Sequence, residues 1–465
     1  MTSAKTQGVV STTCVSGWGE SEFALEKSTT MYRKTTLENG VRIITETIPE
    51  VRSTSIGVVL NAGPRTEMPS QCGLAHLTEH LMFQGTSSRS ALQIARLMDG
   101  AGGYMGGFTT QDYTYYSATV LAEYSTYVLD LFGDILLNSI FPQDSLEKEK
   151  EAVICEIEAA RDNPDQRVRQ LLRATAWPDH PLGRPVAGYT EAVKTLTRED
   201  VIYFAHQHYL PTNLIVAAAG QLDHDDFVAQ VRDAFWRMLG DGSTPTIAPP
   251  APKMSIVTEN SPVSQAYFCI GLRTFPYTHP DRYALHVLDK VLGGGISSRL
   301  FRRIREELGL VYYLGSEYLA FLEDGMLVIE GSTSPEYLQM VLELTLAELT
   351  ELFTWETPVT DEELLIAQTH LRGQHLISGE NTDTRMSRLA TQELYFGRHI
   401  PTDEIAAHLM AVDLPALQRL GQTVLVDALR QATIAVVGPD VSESCNVPRL
   451  EKQLSLFDST ILQRV

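Results

Sequence analysis

A single break near the middle of the 465-residue chain limits what it can fold into. The run Gly240-Asp241-Gly242-Ser243-Thr244-Pro245, then Ile247-Ala248-Pro249-Pro250-Ala251-Pro252, is dense in residues that stop both helices and strands. It reads as an interdomain linker over 240–252, between halves of nearly equal size, 31–239 and 253–465. Equal halves prompt a search for repetition. In the first half, Val41–Ile48 and Thr54–Ala62 read as strands before a helix at about 70–84. In the second, Lys253–Thr258 and Val263–Leu272 read as strands before a helix at about 280–293. Each half also closes with an amphipathic helix and an apolar strand. Leu196–Val201 opens one such helix before Leu214–Gly220, and Val412–Pro415 opens the other before Thr433–Gly438. The same order occurring twice predicts a duplicated α+β domain, with 1–30 as a small, polar, flexible arm.

The bulk numbers exclude several classes. A chain this long exceeds one hydrophobic core, and 43% hydrophobic with 20% charged residues is ordinary for a globular protein. No stretch reaches the roughly 18 consecutive apolar residues of a membrane-spanning helix. A formal charge of −21 argues against nucleic acid and favours cationic partners such as basic peptides. The five cysteines (Cys14, Cys72, Cys155, Cys269, Cys445) are odd in number and scattered, so no disulfide framework is expected and a reducing compartment is the default. Residues 1–30 lack the apolar core of a secretory signal and are too rich in Glu for a transit peptide, which makes the cytoplasm the expected location.

Chemistry concentrates in His76-Leu77-Thr78-Glu79-His80. Ser70 is the expected N-cap of its helix and Gly85 the expected C′ residue, with Leu74, Leu77 and Leu81 as the apolar stripe. Histidines four apart stack on one helical face, about 6 Å apart along the axis, and two imidazoles at that pitch can share one tetrahedral zinc. Glu79, beside the second ligand, can take a proton from an activated water. The order H-x-x-E-H is the inverzincin signature. A catalytic zinc usually takes a third protein ligand. Cys72 is too far along the same face and reads as a small buried thiol. A better candidate is Glu156, expected among the apolar Val153, Ile154 and Ile157, where a carboxylate wants a cation. It lies on an acidic helix over 145–160, with Asp144 and Glu147 as its expected capping box and Asn163-Pro164 as its end. Glu149 lies two turns earlier on the same face. His206 and His208 read as structural, His224 as a solvated turn residue, and the cluster Arg299, Arg302, Arg303, Arg305 as too short for nucleic acid.

The stretch Asn61-Ala-Gly63-Pro-Arg-Thr-Glu67…Gly73-Leu-Ala-His76-Leu-Thr-Glu79-His80-Leu-Met-Phe-Gln-Gly85-Thr86 resembles the pitrilysin/insulinase family of zinc peptidases. It looks closest to the mitochondrial processing peptidase branch and its short bacterial relatives. So do His180-Pro-Leu-Gly183-Arg184 and Tyr209-Leu-Pro211-Thr-Asn213. The resemblance implies two similar mixed α/β sandwich domains facing one another across a cavity. It implies one zinc per chain held by His76, His80 and Glu156, Glu79 as catalytic base, and Glu149 assisting. In the second half, Gly293…Arg299-Leu-Phe…Arg305-Glu-Glu-Leu-Gly309-Leu-Val-Tyr312 resembles the C-terminal signature, which carries substrate anchoring to Arg305 and Tyr312. Read without the resemblance, that segment is an amphipathic helix ending at Gly309.

One departure stands out. Where family members usually carry Asn-Ala in the edge strand that holds substrate, this chain has Gly106-Gly107 before Phe108. Glycines there loosen the strand and put substrate preference in question. The expected partners are an unfolded or short peptide and a second chain, identical or related. The alternative reading is a non-catalytic structural or partner subunit, a class that typically lacks the full set His76, Glu79, His80 and Glu156.

Overall fold

The computed structural model of the protein describes residues 31–242 and 246–461, with side chains through Ser455. The expected arm over 1–30 lies outside the described residues. In the first half, β1 (Met31–Thr36), β2 (Arg42–Thr47), β3 (Ser53–Leu60), β4 (Tyr104–Thr109), β5 (Thr114–Leu121) and β6 (Leu214–Gly220) form one sheet in the order β1-β2-β6-β3-β5-β4. In the second, β7 (Ser255–Asn260), β8 (Ala266–Arg273), β9 (Val311–Ala320), β10 (Gly325–Thr333) and β11 (Thr433–Gly438) form a sheet in the order β7-β11-β8-β10-β9. Setting β2 against β7 and β6 against β11 superimposes the two orders. Each sheet then has a single parallel pair, β2 with β6 and β7 with β11, and otherwise antiparallel neighbours. The fold is a two-domain α+β architecture built by duplication. β4 and β9 are equivalent strands, and each leaves one backbone edge unpaired.

The central strand β6, Leu-Ile-Val-Ala-Ala-Ala-Gly, is buried along its whole length, which requires cover on both faces of the sheet. Helices of the first half cover one face. Leu74, Leu77 and Leu81 of α1 (Leu74–Leu81) pack there on Val58, Leu60 and Tyr116, and Val153 of α2 (Gln143–Asp162) joins the same core. The halves then exchange helices. α3 (Pro164–Ala176) crosses to the second sheet, where Val168, Leu172 and Ala176 pack on Cys269, Met326, Ala435 and Val437. The second half supplies α4 (Arg282–Leu292), α5 (Asp361–Ser378), α6 (Thr382–Phe396) and α7 (Thr402–Met410). Of these, α6 crosses in return, placing Met386, Leu389 and Ala390 on Ile44, Val59, Ile215 and Ala217 of the first sheet.

Buried charge reinforces this joint. Arg65 contacts Glu323 and lies 3.5 Å from Asp112, whose other oxygen accepts from Tyr395 Oη at 2.7 Å and Leu322 N at 3.1 Å. Trp177 Nε1 donates to Asp324 at 2.7 Å, and Arg273 pairs with the same carboxylate. The segment read as a linker forms no regular element among its described residues, yet it is strapped down. Gly242 N donates to Thr212 Oγ1 at 3.1 Å, and His180 Nε2 lies 3.1 Å from Ile247 O.

Several local expectations are corrected. Residues 69–71 form a separate 3-10 turn, and α1 begins only at Leu74 with Gly73 as its N-cap, so Ser70 caps nothing. α2 begins at Gln143 behind Pro142 with no side-chain cap, so Asp144 and Glu147 make no capping box; Glu147 instead accepts from Gln143 Nε2 at 3.1 Å. His224 is buried, not solvated, because Thr35 and Thr45 hydroxyls lie 2.8 and 2.7 Å from its two ring nitrogens. Cys72 precedes α1, with Sγ 3.9 Å from Pro185 O. Its thiol is pushed up to about 12 by burial and the Glu67 carboxylate, which suits a packed residue rather than a ligand. The four described cysteines are all free.

Candidate metal centre

The centre is built on α1, and the position of α1 depends on its first turn. A helix leaves its first backbone N–H groups without partners. Here Glu67, from the preceding turn, folds back to accept from Gly73 N at 3.0 Å and Ala75 N at 2.7 Å. Burial pushes its carboxyl up to about 7 against these hydrogen bonds and nearby Arg184. Gly73 needs its glycine: φ is +100°, and a Cβ there would lie 2.7 Å from Ala187 O. The segment around His180–Gly188 therefore buttresses the zinc helix from outside.

On α1, His76 and His80 bring their rings to 4.6 Å between centroids. Glu156, arriving on α2, places Oε2 3.7 Å from His76 Nε2 and Oε1 3.8 Å from His80 Nε2. One ligand atom from each of these three residues lies within 4.8 Å of the others. A tetrahedral zinc with donors at about 2.0–2.1 Å would hold them roughly 3.3 Å apart; the cluster, spread over up to 4.8 Å, is looser than that and would tighten around an ion. The donor chemistry also fits. Burial and the neighbouring His80 push His76 down to about 4, which keeps its ring neutral and its lone pair free. The surroundings of Glu156 differ from expectation. Its side chain is 51% exposed, because Val153 turns into the core while Glu156 faces the open side of α2.

Glu149 sits behind the cluster. Its Oε2 lies 2.9 Å from His80 Nδ1 and its Oε1 accepts from Gln84 Nε2 at 2.7 Å. A carboxylate can only accept, so Nδ1 carries the proton and Nε2 points its lone pair at the centre. Glu79 lies beside the ligand cluster, buried against the edge strand. Thr109 Oγ1 donates to its Oε2 at 3.2 Å, and Gly107 lies against its Oε1. Burial, with help from Glu156, raises its pKa above the usual carboxylate range against the lowering pull of His80 and Thr109. A raised pKa suits a group that must accept and then release a proton.

Gly106, Gly107 and Phe108 lie on β4, which among the described strands pairs only with β5. Arg305 and Tyr312 also come together, with the guanidinium 4.6 Å from the Phe301 ring centroid and 5.7 Å from that of Tyr312. Arg305 lies on a π-helical turn, Phe301–Glu307, rather than on the regular helix expected there. Tyr312 is the second residue of β9 and is 80% exposed. The two groups of candidate residues thus flank equivalent free edges of the two sheets. The roles of Glu67, Gln84 and Thr109 were not read from the sequence.

Residues 42–190 match the insulinase (peptidase family M16) domain, and residues 195–371 match the peptidase M16 inactive domain. The chain is 34% identical to the uncharacterized zinc protease YmxG of Bacillus subtilis, over 88% of this chain and 99% of that one. The chain belongs to the insulinase family. An uncharacterized zinc protease of Rickettsia felis is 30% identical over 87% of this chain and 97% of its own. Among solved structures, a protease from Helicobacter pylori matches with a TM-score of 0.83 at 19% identity, covering 88% of this chain and all of that one. The peptidase M16 inactive domain structure from Pseudomonas fluorescens matches with a TM-score of 0.80 at 22% identity, over 88% and 98%. At such identities these structures support the fold alone. The insulinase-family assignment, with relatives named zinc proteases, supports a zinc peptidase in general. No described helix is long and apolar enough to cross a membrane.

Proposed function

We propose that this insulinase-family chain is an endopeptidase of the inverted-motif, processing-peptidase-like kind that hydrolyses short or unfolded peptides. The observation that carries the reading is the convergence of His76, His80 and Glu156 beside a buried Glu79 at an open strand edge. In this reading the three residues hold one zinc, which when bound supplies a Lewis acid that polarises the scissile carbonyl and acidifies water. Glu79 takes the proton of the attacking water and delivers it to the leaving amine. Glu149 keeps His80 in the tautomer the site needs. The peptide lies along the free edge of β4 as an added strand, with Phe108 beside it. Arg305 and Tyr312 offer a guanidinium and a phenol to peptide carbonyls.

Nothing on this chain's described surface covers the half-exposed Glu156 or the exposed Tyr312. We infer that a second chain, identical or related, covers them. The sequence-based domain bounds, 31–239 and 253–465, are retained as the proposed units. The free cysteines agree with action in a reducing compartment such as the cytoplasm.

Cleavage of an unstructured basic peptide, with and without chelator, tests the proposal. The wild type should cut in a chelator-sensitive manner, and Glu79→Gln should lower kcat by roughly 100- to 10 000-fold while retaining metal. Metal-replete wild-type protein that cuts no peptide, alone or mixed with a related chain, would instead favour the scaffold reading.

A further inference from the structure

A second concentration of polar groups lies on the other side of the fold. The zinc helix α1 and the crossing helix α6 cover opposite faces of the first sheet. α6 uses Met386, Leu389 and Ala390 for that contact. Its Arg388, Gln392 and Phe396, spaced i, i+4, i+8, share a different face and line a cavity of about 410 Å³. α4 contributes Arg282 and His286 to the cavity, α5 contributes Leu371 and His375, and α7 contributes Ile405 and Leu409.

The charge balance in this cavity is unlike that of the rest of the molecule. Acidic residues outnumber basic ones 58 to 37 in the chain, yet among the described residues no carboxylate lines the cavity. Elsewhere the buried arginines Arg65, Arg273 and Arg299 each face at least one carboxylate. Here, among the described residues, both guanidiniums contact only neutral groups. Arg282 donates to His279 O at 3.1 Å and Tyr283 Oη at 2.9 Å, and lies 4.7 Å from the Phe396 ring centroid. Arg388 donates to Ser378 Oγ at 3.0 Å, His375 Nε2 at 3.3 Å and His375 O at 3.4 Å. The carboxylate that acts on Arg388 from a distance, Glu46, is held by Arg385 at 2.7 Å outside the lining. Burial and the adjacent arginines push His286 and His375 down to about 4, so both rings are uncharged near neutrality and the arginines are the cavity's only described cations.

Both guanidiniums are partly buried without a carboxylate at the cavity wall, and their planar forks match one. The remaining walls (Tyr277, Tyr318, Phe396, Leu371, Leu409) favour a hydrocarbon or aromatic body, and the volume suits a small molecule or one or two peptide residues. We propose that this cavity is a binding site for a carboxylate carried on an apolar body, held by Arg282 and Arg388 against the aromatic and aliphatic walls. The source is either a free organic acid or the C-terminal residue of a peptide. Because α6 both walls the cavity and covers the first sheet, an occupant would brace the joint between the halves.

Calorimetry on the full chain tests this without reference to peptidase activity. The probes are 3-phenylpropanoate, its uncharged analogue 3-phenylpropan-1-ol, and a Leu-Phe dipeptide as free acid and as amide. The acid should bind wild type at least ten-fold more tightly than the alcohol, a comparison that depends on no variant. Arg282→Gln and Arg388→Gln should each weaken the acid at least ten-fold, while Arg449→Gln, an exposed charge in the same half, should not. Preference for the free-acid dipeptide over phenylpropanoate would identify a peptide C-terminus as the occupant, and the reverse a free acid. Equal binding of acid and alcohol, no binding of the acid, or unchanged binding in folded Arg282 and Arg388 variants would overturn the proposal.

Discussion

A Cβ added at position 107 would sit 2.7 Å from Glu79 Oε1, whereas one added at 106 meets nothing within 4 Å. The two glycines of the edge strand are therefore not equivalent. Gly107→Ala presses on the carboxylate end of the flexible Glu79 side chain; because the resemblance places Ala there, the carboxylate should re-seat, and kcat should fall by only a small factor with little change in KM. Gly106→Asn should leave kcat alone and lower KM by adding an amide to the substrate edge. Steady-state kinetics on a fluorogenic peptide separates them, and the opposite split would mean that β4 does not carry the substrate. Glu149 makes a different residue-scale prediction. Because it orients His80 from behind, Glu149→Gln should weaken zinc affinity by roughly 10- to 100-fold without abolishing binding. Titration against a chelating zinc indicator checks this, and unaltered affinity would remove Glu149 from the support of the centre. At this scale the sequence was most informative where chemistry is local. His76, Glu79 and His80 lie within little more than one helical turn, so their pitch alone suggests a metal. The exposed setting of Glu156 was not legible, because which side of α2 faces solvent depends on what α2 packs against.

At the scale of elements, periodicity located most strands and helices, and β6 and β11 fall where the apolar runs predicted. The start of α1 did not follow, since Ser70 looked like a cap while the actual acceptor, Glu67, acts through a fold of the chain that no local pattern encodes. Its burial has a consequence for pH. The folded-state value, about 7, lies above the ordinary 4.5, so the native state holds the proton more tightly than the unfolded chain. This group's contribution to stability is then fully present below about pH 4.5 and is lost as pH rises through about 7, a change on the order of 3 kcal/mol. Glu67→Gln, which does not titrate, should flatten that part of the stability profile. Urea unfolding at pH 5 and pH 7 measures it; an identical pH dependence in the variant would show that the carboxylate does not titrate in this range.

At the scale of the whole molecule, the linker and the repeat gave the two halves, but not their exchange of helices. Amphipathic patterns in α3 and α6 show that each needs an apolar partner and say nothing of which sheet supplies it. Because α3 completes the second core and α6 the first, neither half is self-sufficient. Residues 31–242 expressed alone should be insoluble or molten, and co-expression with 246–465 should restore folded protein. An independently folded first half, with a cooperative melt, would contradict this account of the joint. Leu172→Ala, at the centre of one crossing contact, should cost about 2–5 kcal/mol in whole-chain unfolding.

The central claim is that α1 and α2 together hold one zinc, and metal content tests it most directly. Wild type and Glu156→Gln, purified in parallel and metal-replete, should be compared by inductively coupled plasma mass spectrometry after equal dialysis. The account predicts about one zinc per wild-type chain and a large loss in the variant at unchanged fold. Full zinc retention in Glu156→Gln, or wild-type protein that takes up none, would contradict it.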